Sequence, residues 1–187
     1  MSKRAKLIVI SGPSGVGKTT ICNEIVARRK DIVYSISATS RAKRKGEVNG
    51  REYFFLTEKE FKRWIAEGKF AEYAIVHGHY YGTPKDFLEK NLKNGFHVLM
   101  DIDVQGAKKL MPLYPDGIYI FVLPPDFAEL KKRLIKRNTD NEKEIENRLK
   151  TATKELKYMK DYKYVVKNIN LEETITEILK IIDRETI

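Results

Sequence analysis

Residues 12–19 read GPSGVGKT and fit the pattern G-x-x-x-x-G-K-[ST] without a mismatch. The flanks suit it. Leu7, Ile8, Val9 and Ile10 form a short apolar run before the loop, and Ile21, Ile25 and Val26 follow at helical spacing. A strand, a glycine loop and a helix are therefore expected in succession. Glycines at 12, 15 and 17 let backbone N–H groups turn inward with no side chain in the way. With the first helical turn, those N–H groups make a cradle for anions. Lys18 adds a point charge for the outer phosphates, and the Thr19 hydroxyl is a hard oxygen suited to Mg²⁺. The segment predicts a nucleoside triphosphate and leaves open what the chain does with one.

The rest of the pattern sets the fold class. Strands are expected at 6–10, 34–37, 53–56, 70–77, 79–81, 98–102, 118–123 and 164–166. The first helix is expected at 19–29, and Thr57 with Glu60 forms a capping box for another that stops at Gly68. Thr83-Pro84 reads as a helix start, with proline at the first helical position and an end near Gly95. Further helices are expected at 104–111, from Asp126 to about 137, from Thr139 through Leu156, and at 171–182. Alternating strands and helices mean α/β with a mainly parallel sheet. Residues 37–81 break the rhythm and read as an insertion of mixed β structure.

At 187 residues the chain is one domain with insertions. Apolar content of 42% with 33% charged residues is a soluble globular composition. One cysteine, Cys22, excludes an intrachain disulfide and reads as a small buried filler. The opening MSKRAK runs straight into the first strand, so no signal peptide is expected. No apolar run approaches the roughly 18 residues of a membrane span. A cytoplasmic protein is the expectation. The net charge of +10 fits either a nucleic-acid surface or a lysine-rich solvated surface with a polyphosphate pocket. The basic residues are spread without a long arm, which favours the second.

Two further clusters carry chemistry. Residues 41–51, RAKRKGEVNGR, hold five basic residues and two glycines, a loop composition. Arg41, Arg44 and Lys45 there could grip phosphate oxygens, with Tyr53 and Tyr81 as hydroxyl donors. Glu47, Glu72 and Asp101 would repel phosphate and should face a donor. Guanine is one, because its N1–H and N2 amino group point the same way, whereas adenine presents an acceptor at N1. Asp101 and Asp103 end a strand where ligands sit in open α/β sheets. The plain readings are a solvated basic loop, Glu72 as a charge guarding a sheet edge, and Tyr53, Phe54 and Phe55 as core. His77, His79 and His97 lack metal-ligand spacing and read as surface or packing residues. In the third cluster, Arg133 and Arg137 share a helical face and Arg148 lies on the next helix. This segment could close as a lid over a migrating phosphoryl group, or be a charged surface helix with pairs such as Glu129 and Arg133.

The residues match a known family. The chain resembles the guanylate kinases, which phosphorylate GMP, almost end to end. The matching segments are SGPSGVGKTT, SATSRAKRKGEVNGREYFF, FAEYA, YYGTP, LMDIDVQGA, the PP before LKKRL, and KRNTD with the later NRL. Within them R-x-x-R-x-G-E-x-x-G-x-x-Y is far more specific than the glycine loop. The resemblance implies a P-loop NTPase-like parallel sheet flanked by helices, with core residues 1–36, 84–125 and 156–187, a GMP-binding insertion at 37–83 and a helical lid at 126–155.

It also implies roles. ATP would lie on Gly12, Pro13, Ser14, Gly15, Val16, Gly17, Lys18, Thr19 and Thr20, with Arg133 and Arg137 on the same side and Asn168 near the adenine. Ser37, Glu72, Thr83 and Asp101, with Asp103 beside them, would read guanine. Arg41, Arg44, Tyr53 and Tyr81 would hold the GMP phosphate, supported by Glu47. Lys18, Arg41, Arg137 and Arg148 would serve the transfer, and Thr19 with Asp101 would hold Mg²⁺. The implied partners are ATP and GMP, and dGMP with them, with no nucleic acid or membrane; monomer and homo-oligomer stay open. Ala38 stands where the family often has a hydroxyl, Lys43 replaces a common proline and Asn138 a common glycine. The rival readings are a catalytically silent phosphopeptide-binding module, a nucleic-acid binder, and a kinase of another small acceptor. The chain is short and keeps both Lys18 and Thr19, which argues against the first.

Overall fold

The computed structural model describes residues 4–76, 78–136 and 142–186, with 136 and 142–144 by backbone alone. His77, Arg137, Asn138 and Thr139 lie outside the described residues, and with them the expected cap at Thr139. The chain runs β1 (Leu7–Ser11), α1 (Lys18–Arg28), β2 (Ile32–Tyr34), β3 (Ala38–Thr39), β4 (Phe54–Phe55), α2 (Glu58–Ala66), β5 (Phe70–Val76) and β6 (His79–Pro84). It continues with α3 (Lys85–Lys93), β7 (His97–Asp101), α4 (Val104–Leu110), β8 (Ile118–Leu123), α5 (Phe127–Lys136), α6 (Glu142–Leu156), β9 (Tyr164–Lys167) and α7 (Leu171–Thr186).

Five strands form a parallel sheet in the order β2-β7-β1-β8-β9. Its central strand, β1, is buried along its whole length, as a strand covered on both faces must be. Alternation divides its side chains between two cores. Ile8 and Ile10 pack with Ile21, Cys22 and Ile25 of α1 and with Ile175, Ile178 and Ile182 of α7. Leu7 and Val9 pack on the other side with Leu88 of α3 and with Val104, Ala107 and Leu110 of α4. Cys22 is fully buried, as its apolar neighbours in the sequence suggest. Among the described residues no helix is long and apolar enough to cross a membrane.

The irregular middle of the chain is a second sheet, in the order β4-β3-β6-β5. Its β3–β4 pair is parallel, and β3–β6 and β5–β6 are antiparallel. This is the expected mixed-β insertion. The capping box at Thr57 and Glu60 is present in full. Asp126 Oδ1 likewise accepts the Glu129 N–H at 2.7 Å and opens α5.

Three local expectations need correction. The second strand ends at Tyr34 instead of spanning 34–37, because the chain leaves the first sheet there and joins the second at Ala38. Thr83 and Pro84 belong to β6 and not to α3. Pro84 caps the helix with φ −60° and ψ 121°, and pairs with Phe70. Proline's fixed φ suits extended chain as well as a first helical turn, so sheet pairing decides between them. A 3-10 turn, Lys157–Asp161, also follows α6, and the expected pattern did not include it.

The glycine loop lies directly against β8. A Cβ on Gly12, whose φ is +141°, would stand 2.3 Å from the Val122 carbonyl oxygen. Gly12→Ala is expected to cost about 2–4 kcal/mol, from backbone strain together with that clash. Urea denaturation checks this. An unchanged midpoint would mean the loop is not seated against β8.

Candidate active site

A cleft of about 670 Å³ runs between the two sheets, over the carboxyl ends of β1 and β7. At one end the loop of residues 12–17 leads into α1. Packing behind the loop demands its glycines: a Cβ on Gly15 would meet Leu134, and one on Gly17 would meet the Asn168 amide. Lys18 Nζ turns back onto the loop and donates to the Gly12 and Pro13 carbonyls at 2.6 and 3.0 Å. Thr19 Oγ1 donates to Asp101 Oδ2 at 2.7 Å. Register explains that contact, since Asp101 lies opposite Ile10 in the β1–β7 ladder.

The basic loop lines the same cleft. Arg41 spreads both terminal nitrogens onto Glu47, at 3.0 and 2.8 Å, and the Arg44 N–H donates to the same carboxylate at 2.7 Å. Burial pushes the Glu47 carboxyl up, but Arg41 and the Arg44 amide more than reverse this and hold it below the usual range. The Arg41 guanidinium also lies 5.5 Å from the ring centre of Tyr53 and 5.6 Å from that of Phe55. Tyr53 meets Tyr81 edge-on, with ring centres 5.9 Å apart. Arg41, Arg44, Tyr53 and Tyr81 thus converge on one place, with Arg41 held rigidly by Glu47. Tyr53 and Phe55 pack as an aromatic platform under a cation, so the plain core reading accounts for only part of them.

At the far end stands Glu72, 6% exposed on β5. Thr83 Oγ1 donates to its Oε1 at 2.7 Å. Burial pushes this carboxyl up to about 7; the Thr83 hydroxyl works against that and the Asp103 charge adds to it. Glu72 is therefore no solvated charge guarding a sheet edge. Gly106 makes room for it, since a Cβ there would lie 2.6 Å from Glu72 Oε2. Asp103 caps α4 by accepting the Gly106 N–H at 3.0 Å, and its other oxygen is buried without a hydrogen-bond partner.

Most of the residues singled out in the sequence line this one cleft. They include Gly12, Ser14, Gly15, Gly17, Lys18 and Thr19, with Asp101 beside Thr19, and Ser37, Glu72 and Asp103. Arg148, on α6, lines it as well. Others stand behind its walls. Thr83 is wholly buried and orients Glu72, and Val16 packs into the core. Asn168 is also buried; it donates to the Val16 carbonyl at 2.8 Å and accepts from Thr174 at 3.2 Å. Arg133 pairs with Glu129 at 3.1 Å and reaches the Val16 carbonyl at 3.4 Å. Pro13 and Thr20 do not line the cleft, and Arg137 is outside the described residues. His97 is a packing residue whose Nδ1 accepts the Lys6 N–H at 3.0 Å.

Among the cleft residues that escaped the sequence reading, two carry chemistry at the loop. Tyr34 donates its hydroxyl proton to Asp101 Oδ1. Glu155 is buried at the end of α6, beside Lys18 and the Ser14 amide, with Oε2 unpartnered. Burial pushes it up to about 7, with Lys18 opposing the shift and Asp103 adding to it. Seven-residue spacing from Arg148 puts both on one face of α6, which is the only signal that could have pointed to Glu155.

A family model described as guanylate kinase matches residues 4–185. The guanylate kinase of Caldanaerobacter subterraneus subsp. tengcongensis is 50% identical over 185 residues, covering 99% of this chain and 90% of that protein. That of Clostridium acetobutylicum is 48% identical over 185 residues, covering 99% and 88%. The crystal structure of guanylate kinase from Anaplasma phagocytophilum superposes with a TM-score of 0.83 at 35% identity, covering 100% of this chain and 88% of that one.

The buried carboxyl sets a pH dependence. Below about 4.5 the Glu72 carboxyl is protonated both folded and unfolded, and contributes no slope. Between about 4.5 and 7 the unfolded chain has released this proton while the folded chain keeps it, so stability falls as pH rises. Glu72→Gln should remove this contribution. Thermal melts should show the variant several degrees more stable than its parent at pH 8 and nearly equal at pH 4. Equal melting points at both values would show that Glu72 is not held protonated.

Proposed function

The chain belongs to the guanylate kinase family, and from that premise we propose that it transfers the γ-phosphoryl group of ATP to GMP, giving ADP and GDP. The observation that carries the reading is the cleft itself. A glycine loop with Lys18, a buried carboxyl at Glu72 and the Arg41–Glu47 pair all face the same space. The glycine loop takes the triphosphate. Arg41, Arg44, Tyr53 and Tyr81 take the phosphate of GMP, and Glu72 accepts from guanine N1–H and N2–H. Ser37, Asp101 and Asp103 complete the base pocket, and Thr83 holds Glu72 in place. An adenine there would leave the buried carboxylate facing a ring acceptor, which supports discrimination by a large factor.

The GMP phosphate is already a nucleophile at neutral pH, so no side chain need act as a strong base. Catalysis comes from positioning and from charge neutralisation along the line of transfer. Lys18 leaves the Gly12 and Pro13 carbonyls for the outer phosphates. Arg148 reaches the migrating group from α6, joined by Arg137, with Arg133 on the ATP side and Asn168 bracing the loop near the adenine. The division of labour follows the chain: residues 1–36, 84–125 and 156–187 as core, 37–83 as GMP-binding insertion, and 126–155 as lid. A cytoplasmic setting agrees with a single, buried cysteine.

The residues present fit Mg²⁺. Thr19 Oγ1 and Asp101 Oδ2 are hard oxygens 2.7 Å apart at the mouth of the loop. Among the described residues no group of three His, Cys, Asp or Glu could hold a metal ion alone. Such an ion would be held chiefly by phosphate oxygens and water, with one or two protein ligands. When bound, Mg²⁺ neutralises charge on the phosphates; the chain's part is to offer Thr19, with Asp101 behind it.

A coupled assay of ADP production, with GMP, dGMP, AMP, CMP and UMP as separate acceptors, tests the reading. Turnover with GMP and dGMP and near-background rates with the rest are expected. Turnover with AMP at a comparable rate would exclude the guanine assignment. Lys18→Ala should lower kcat by at least about 100-fold. Glu72 must ionise to accept two guanine protons, so GMP binding at pH 6 should release a proton. Calorimetry in two buffers of different ionisation enthalpy reads that proton, and Glu72→Gln should lower the release to the part that comes from the GMP phosphate, whose second ionisation falls at about pH 6.

A further inference from the structure

Tyr34 ends β2, the strand at one edge of the parallel sheet, and pairs with Leu99 of β7. Asp101 ends β7 two residues further on. The Tyr34 hydroxyl crosses that step and donates to Asp101 Oδ1, while Thr19 Oγ1 donates to Oδ2 at 2.7 Å. One donor comes from β2 and the other from α1, so the two oxygens are pinned from two different elements. The Tyr34 ring packs against the core under α1, and its hydroxyl end lines the cleft. Burial and the Asp101 charge push the phenol's proton loss far above its ordinary range, so it stays a donor at any working pH.

Two hydrogen bonds on the two oxygens of a carboxylate fix both its rotation and its plane. Each oxygen still has one lone-pair direction to offer. We propose that Tyr34 is a positioning residue, orienting Asp101 so that one carboxylate serves both the guanine pocket and the Thr19 corner of the phosphate loop. This rests on the reading given under Proposed function. The hydroxyl of Thr19 spends its proton on Asp101, which turns its own lone pairs outward to the mouth of the loop. Tyr34 keeps Asp101 in the rotation that accepts that proton. Without the phenol hydroxyl, the carboxylate turns about its Cβ–Cγ bond, and both neighbours lose a defined partner.

Tyr34→Phe removes one hydroxyl and keeps the ring in the core. The variant should melt within a few degrees of its parent and keep its circular dichroism. Its kcat/KM for GMP should fall about 10-fold, the scale of a lost hydrogen bond to a charged group. The free Mg²⁺ needed for half-maximal rate should rise, and calorimetry without metal should show weaker GMP binding. Asp101→Ala, which removes both acceptor oxygens, supplies the second arm of a double-mutant cycle. If Tyr34 acts through Asp101, adding Tyr34→Phe to Asp101→Ala costs nothing further. Full additivity in the double variant would overturn the proposal, as would a Tyr34→Phe protein with parental constants. A variant that only melts lower, with kcat, KM and Mg²⁺ dependence unchanged, would reduce Tyr34 to packing and overturn it too. If the parent neither binds nor phosphorylates GMP, the family reading of the activity fails instead. If the parent is active and the variant equals it, only the positioning role falls.

Discussion

The register of β1 against β7 is the constraint from which the site follows. Parallel pairing sets Ile10 opposite Asp101, so the strand that launches the glycine loop ends beside the strand that delivers the carboxylate. The same ladder continues to β2, where Tyr34 stands opposite Leu99. Three chain segments far apart in sequence therefore arrive at one corner with their side chains already in reach. A slip of one residue would turn Asp101 to the opposite face of the sheet and carry the apolar residues of β7 with it. The two cores, one under α1 and α7 and the other under α3 and α4, resist that slip, because each accepts only one set of alternate side chains.

Around that corner the molecule concentrates acidic groups where a nucleotide is to bind. Glu72, Asp103 and Glu155 interact electrostatically along the cleft, and burial raises both glutamates to about 7. Keeping them there works against folding, and the fold makes specific concessions to it. Gly106 leaves space for the Glu72 carboxyl, Thr83 gives it a donor, and α4 begins on Asp103. The basic loop is arranged on the opposite principle. There Glu47 is ionised and serves as a bracket for Arg41. Carboxyls of one chemical type thus act as a proton-bearing group at one place and a fixed anion at another, because their surroundings differ in charge and access to water.

What was legible in the sequence was what depends on neighbours along the chain. The glycine loop, the capping box at Thr57, the side-chain cap at Asp126 and the buried run of β8 all state their structure locally. Asp101 and Asp103 could be named because a strand end in an α/β sheet is a privileged place. Arg41, Arg44, Tyr53 and Tyr81 came from composition and from the family pattern together. Tyr34 was missed because its partner is 67 residues away, and its own segment reads as an ordinary strand. Glu155 was missed for a similar reason: on a helix rich in lysine and glutamate, only its spacing from Arg148 marks which carboxylate turns inward. Thr83-Pro84 went wrong because proline fits two conformations, and pairing with β5, not local preference, chose one. Arg133 shows the reverse case, since the ion pair with Glu129 that its spacing suggests is present.

Lys18, folded back on the Gly12 and Pro13 carbonyls, makes the resting loop its own antagonist. An anion that arrives there meets no bare ammonium; it must outbid two carbonyl oxygens tethered to the same short segment, at an effective concentration that no dissolved ion matches. A chain of linked phosphates can occupy the amides first and draw the lysine over afterwards. The contact therefore makes the lysine's swing toward the phosphates an exchange of one set of oxygen partners for another, and not the seating of an idle charge.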